Sequence, residues 1–139
     1  MKRKLLFVSI LGFGLIVTAG TVTAHHGFMG IFDLRTSTTF EGVITRVEWE
    51  NPHISFNVDV KDADGKVTSW RFEGANPGAL RSRGWARTDL KIGEKVVIRG
   101  YRATSGLPVA AAGGVTLADG RTLDASSDGV PSNKAKQAK

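Results

Sequence analysis

The chain has 139 residues, 41% hydrophobic and 23% charged, a balance that suits a folded domain and excludes a disordered or collagen-like polymer. It has no cysteine, which excludes a disulfide framework, a lipid anchor on cysteine and a thiol nucleophile. The formal net charge of +6 is concentrated at the two ends, so it does not describe a basic binding face.

Lys2, Arg3 and Lys4 precede an uncharged apolar run, Leu5–Val17. Its 13 residues match the core of a secretory signal peptide and fall well short of the roughly 20 that a spanning helix needs. Two small-residue cleavage sites follow, Val17-Thr18-Ala19 and Val22-Thr23-Ala24. The second is favoured because it leaves a longer polar stretch before the cut. The expectation is export to the periplasm or medium, with residues 1–24 removed as a signal peptide and membrane contact only during export. With the three leader cations gone, the 19 basic residues fall to 16 against 13 acids, a net +3. Lys134, Lys136 and Lys139 sit at the far end, so the middle of the chain is close to neutral and nucleic acid is not the expected partner.

Residues 25–38 read as a lead-in segment and residues 39–124 as the folded domain. Phe40–Trp49 is a long strand whose apolar parity switches: Phe40 and Ile44 share one face, Val43, Val47 and Trp49 the other. Gly42 lies near the change, where a bulge or bend is predicted. His53–Val60 alternates, with Ile54, Phe56, Val58 and Val60 on the core face and His53, Ser55, Asn57 and Asp59 on the polar one. Val67–Phe72 follows with Trp70 and Phe72 inward. A two-residue Asp64-Gly65 turn would break the core face. A three-residue loop, Ala63-Asp64-Gly65, instead pairs Asp62 with Lys66, Val58 with Trp70 and Phe56 with Phe72.

Asn76–Gly84 reads as a two-turn helix, with Asn76 as cap, Pro77 at its first position and Gly84 as terminator. Lys95–Arg102 is a fourth strand with Val96 and Ile98 inward, and Ala110–Leu117 a fifth. Asp119-Gly120 turns the chain back into Arg121–Leu123. Residues 125–139 have nothing evident to bury and read as a disordered basic tail. The order β-β-β-α-β-β predicts an all-β domain with one short helix, a small five-stranded OB-like barrel. A β-sandwich is the rival, for which the strands are few.

Several fragments together resemble a family of small exported bacterial proteins classed as a domain of unknown function. They are Ala24-His25-His26 with Phe28 and Phe32-Asp33, then Gly42-Val43-Ile44, Asn51-Pro52-His53, Asn76-Pro77 with Gly84-Trp85, and Leu90–Gly93 before the strand bearing Gly100. The resemblance covers the chain from the double histidine to about Leu123. It implies export and a small β-fold and brings no established activity.

The three histidines occupy two places in the chain. His53 heads the second strand on its polar face, where a solvated histidine beside a turn is the plain explanation. If cleavage follows Ala24, His25 offers an α-amine and an imidazole and His26 a further nitrogen. That ligand set suits Cu(II), with Zn(II) or Ni(II) as alternatives, and Met29 could add a thioether for Cu(I). His25, His26 and His53 are therefore the candidate metal ligands, with copper the cofactor considered. Arg81, Arg83 and Arg87 flank Trp85, most simply as cations at the helix end around a packed indole. Glu48 and Glu50 read as a solvated strand end. No nucleophile–base order, phosphate loop or HExxH is present, so no catalytic residues and no enzyme are expected. The leading expectation is an exported, non-catalytic binding or adaptor module for an unidentified protein or small ligand. The alternative is a periplasmic copper-binding protein using the histidine pair with His53.

Overall fold

The computed structural model describes residues 30–132. Its elements run β1 (Phe32–Glu48), β2 (Ser55–Lys61), β3 (Val67–Glu73), α1 (Pro77–Ser82), β4 (Lys95–Ala103), β5 (Val109–Thr116) and β6 (Thr122–Asp124). The strands are hydrogen-bonded in the order β3-β2-β1-β4-β5-β6, and β3 also pairs with β5. That last pairing is parallel, Phe72 beside Ala110, and closes β1, β2, β3, β5 and β4 into a ring. The ring with a helix between β3 and β4 has the order expected of an OB-like fold.

The alternation of β2 and β3 fills the ring. Phe56, Val58 and Phe72 are fully buried, joined by Ile44, Ile54, Leu80, Ile98 and Val115. Phe56 stacks on Phe72 with centroids 5.5 Å apart, and Phe40 meets Phe72 edge-on at 5.0 Å. The register is the one demanded by the three-residue loop: Val58 faces Trp70 and Phe56 faces Phe72. The Asp62 N–H donates to the Lys66 carbonyl at 2.9 Å, and Gly65 takes φ +85°, a value that favours glycine. The helix also starts as its sequence dictates. The Asn76 side chain accepts from the Ala79 N–H at 2.8 Å, with Pro77 at the first position.

Three expectations are corrected. The first strand begins at Phe32, so part of the 25–38 lead-in is strand, with Phe32 paired to Ala103. The β1 irregularity against β2 falls between Ile44 and Arg46, past Gly42. Gly42 has a different reason to be glycine, since a Cβ there would collide with the Asp59 carbonyl oxygen of β2. The parity switch itself stands, because Val47 and Trp49 pack against the same core as Phe40 and Ile44.

The third correction concerns residues 125–132, assigned to a disordered tail that begins at 125. They form a packed strap. Ala125, Ser126, Ser127 and Val130 are buried, and the Ala125 carbonyl accepts from the Ala75 N–H at 2.9 Å. The Arg83 guanidinium donates to the Ser126 carbonyl at 2.6 Å. Val130 joins a second, smaller apolar cluster with Phe32, Tyr101, Ala103 and Ala111. Among the described residues no helix is long and apolar enough to cross a membrane.

Candidate functional site

One group of polar side chains lies at the end of the ring where β1 finishes and β2 begins. Ile54 is clamped between the end of β3 and its continuation: its N–H donates to the Ala75 carbonyl at 3.1 Å, and its carbonyl accepts from the Gly74 N–H at 3.0 Å. With Ile54 buried, the residues on either side face the other way. His53 lies exposed, and its Nδ1 is 3.1 Å from the Gly74 carbonyl oxygen. A carbonyl can only accept, so Nδ1 carries the proton and Nε2 is the basic nitrogen of the neutral ring.

Ser55 is buried and donates its hydroxyl to Glu48 Oε2 at 2.6 Å. The same carboxylate pairs with Arg46 at 2.6 Å and Arg71 at 3.2 Å. The Ser55 hydroxyl, and then the two guanidiniums, hold the Glu48 carboxyl below its usual range against the opposing effect of burial. Glu48 is thus the hub of a network, its side chain only 24% exposed, rather than part of a solvated strand end. Glu50 is exposed. Pro52, His53, Ile54, Ser55, Arg71 and Glu73 line an open cleft of about 210 Å³ beside this network.

His25, His26 and Met29 lie outside the described residues. Among the described residues no group of three His, Asp or Glu side chains could hold a metal ion. Ser55, Arg46, Arg71 and Glu73 were not singled out from the sequence. The signal was partly there: Ser55 alternates onto the face of His53, and the β2–β3 register then sets Glu73 opposite Ser55 and Arg71 opposite Asn57.

Trp85 is buried, donates from Nε1 to the Asp124 carbonyl at 2.8 Å and lies 6.2 Å from Trp49. Arg81 occupies the last helical turn, and Arg83 is tied to the strap. A second cleft, about 310 Å³, is lined by residues that include Asp89, Lys91, Glu94, Asp119 and Arg121. There Arg121 bridges Asp89 and Asp119, each at 2.8 Å.

Fold and site together define a small, mostly β module, a closed ring of five strands with an OB-like order of elements and a filled interior. The chain belongs to a family of unknown function, DUF6152, whose model matches residues 14–112. That bears out the resemblance carried by the double histidine and the Asn51-Pro52-His53 run. No curated protein and no solved structure matches the chain.

Proposed function

We propose that the protein works after export as a non-catalytic binding module, and that the His53 end of the ring is its recognition surface. The observation that carries this reading is the network around Glu48. Ser55, Arg46 and Arg71 converge on one carboxylate at 2.6 to 3.2 Å, and the cleft holding His53 and Glu73 lies beside it. Polar groups fixed on strands in advance lose less freedom when a partner docks. The cleft is open and smaller than the roughly 300–1,000 Å³ of pockets that enclose small molecules. A side chain presented by a protein partner suits it better than an engulfed metabolite. Export rests on the basic residues Lys2–Lys4 ahead of the apolar run 5–17.

The test is photo-crosslinking in intact cells, with the reactive side chain placed at His53 or Glu73 and, as a control, at Asp119 in the second cleft. A discrete adduct from the first two positions and none from the third is the expected result. Equal labelling at all three, or none at the first two in protein recovered from the periplasm, overturns the reading.

One observation favours the copper reading as a second possibility. The Gly74 carbonyl fixes the His53 tautomer, which is how metal-ligating imidazoles are commonly held. In that reading His25 and His26 supply the remaining nitrogens, and Cu(II) binding weakens as pH falls through the imidazole range near about 6.5. Copper titration of wild type against His53→Ala, read by EPR, decides it. An unchanged spectrum and affinity removes His53 from the site.

A further inference from the structure

The two ends of the ring are closed in different ways. Where β3 finishes and β4 begins, α1 and the chain after it lay Leu80, Trp85 and Leu90 over the interior, all of them buried. At the opposite end β2 turns into β3 and β4 into β5, and burial falls away in step on three strands. Phe40, Val58 and Phe72 are at most 2% exposed. Thr38, Val60 and Trp70, each two residues further along the same inward face, are only half-buried. That end of the ring is a mouth.

Arg102 stands in it. The inward residues of β4 are Val96, Ile98 and Gly100, paired with Gly42, Phe40 and Thr38 of β1, and the same alternation turns Arg102 inward. It is the one charged residue on the inward faces of β2, β3 and β4. Its guanidinium carbon lies 4.9 Å from the centre of the Trp70 ring and 5.4 Å from that of Phe40, and the two rings are 4.7 Å apart. Aromatic faces attract the charge and accept none of the five N–H groups that fan out from it. Arg46, Arg71 and Arg121 each hold a carboxylate within 3.2 Å. Among the described residues Arg102 pairs with no carboxylate and donates to no acceptor, although it is exposed.

We propose that this mouth is a binding site for a carboxylate carried on an apolar body, with Arg102 as its anchor. The fork of N–H groups matches the two oxygens of a carboxylate. A single positive charge balances a single negative one, which suits a carboxylate better than a phosphate monoester carrying nearly two. The apolar part of the ligand meets Val60 and Trp70 at the rim, and Thr38 and Thr68 offer hydroxyls on the same inward faces. Contact with two rings fixes the guanidinium before the ligand arrives, so less side-chain freedom is lost on binding. The mouth lies at the far end of the ring from His53, so it stands or falls independently of the recognition surface there.

The test titrates phenylacetate, and phenylacetamide as its uncharged counterpart, into the protein as the cell exports it. NMR follows the Trp70 indole N–H and the Arg102 Nε–H. Phenylacetate should shift both signals saturably and phenylacetamide neither, while Trp49 and Trp85 at the other end stay still. Arg102→Gln should weaken binding by about tenfold to a hundredfold, the loss expected of a hydrogen bond to a charged group. Arg102→Lys keeps the charge without the fork and should fall between. Unmoved Trp49 and Trp85 signals in the variants report an intact fold, and the comparison with the amide needs no substitution at all. Two peptides ending in phenylalanine, one with a free C-terminus and one amidated, identify the source of the carboxylate. Tighter binding of the free peptide than of phenylacetate points to a protein terminus, and its exclusion points to a small acid. No saturable shift, an equal response to the amide, or an Arg102→Gln variant that binds like wild type overturns the inference, and Arg102 then only covers the two rings.

Discussion

The inside and the outside of the ring are built by different rules. Inside, Phe56, Val58, Phe72, Val96 and Ile98 come from strands whose side chains alternate, and each neighbour in sequence points away. Outside, Phe32, Tyr101, Ala103, Ala111 and Val130 come together from the start of β1, the end of β4, β5 and the strap beyond β6. The interior is built mainly of strand faces, closed over by Leu80, Trp85, Leu90 and Ala125 from outside the strands, and the exterior is a patch assembled by chain segments laid over it. Periodicity specifies the first. Only long-range contact specifies the second.

Damage to the interior should cost the most. Phe72 is fully buried, stacked on Phe56 and edge-on to Phe40, so Phe72→Ala should cost about 3–5 kcal/mol. Urea denaturation should show this as a lower midpoint with an unchanged slope. The strap should rank next. Cutting the chain after Asp124 removes Val130 from its cluster and the carbonyls that serve Ala75 and Arg83, a loss of about 3 kcal/mol. If the truncated chain melts with the full one, the exterior patch contributes nothing and the contrast between the two regions collapses.

The same contrast explains what the sequence could reveal. The β2–β3 hairpin was legible down to its register, because only the Ala63–Gly65 loop keeps Val58 and Trp70 on one face. The helix was legible because Asn76 and Pro77 act locally. The beginning of β1 was not, since between Phe32 and Ser37 its pairing with β4 is irregular and no alternation survives. The strap was missed because Ala125, Ser126 and Ser127 are small or polar. They are buried by backbone contacts to distant residues, which hydropathy along the chain does not register. In the site, the polar face of β2 with Ser55 was readable, but His53, expected to head that strand, lies two residues before its start. The Glu48 network was hidden because it joins β1, β2 and β3 across two strand registers, one of them bulged after Ile44.

Trp85 joins the two regions. Its ring belongs to the interior cluster and its N–H holds the Asp124 carbonyl, where the strap begins. Trp85→Phe keeps most of the apolar contact and removes the donor, so about 1 kcal/mol should go. In the chain cut after Asp124 the same substitution should cost a different amount, because strap and indole share that junction. Strict additivity of the two changes, measured by a double-mutant cycle, would mean that they are independent.

The smallest expected effect lies on the polar outside of the ring, at Glu48. Its carboxyl titrates below the ordinary value near 4.5, with the Ser55 hydroxyl the largest cause and the Arg46 and Arg71 charges behind it. A carboxyl whose folded pKa is lowered stabilises the fold above its unfolded value. That contribution disappears as pH falls from the unfolded value through the folded one. Acid should therefore weaken the protein at this site below about 4.5, and neutral or basic pH should leave it alone. Ser55→Ala should raise the Glu48 midpoint, followed by carboxyl NMR during an acid titration. Added salt separates the causes: it screens the two arginines, which are partly exposed, and leaves the hydroxyl bond at 2.6 Å largely intact. Wild type should keep a lowered midpoint in high salt, and Ser55→Ala should lose most of it. A Glu48 midpoint that salt alone restores to the ordinary value would show that the guanidiniums hold the carboxylate, and that Ser55 is only its neighbour.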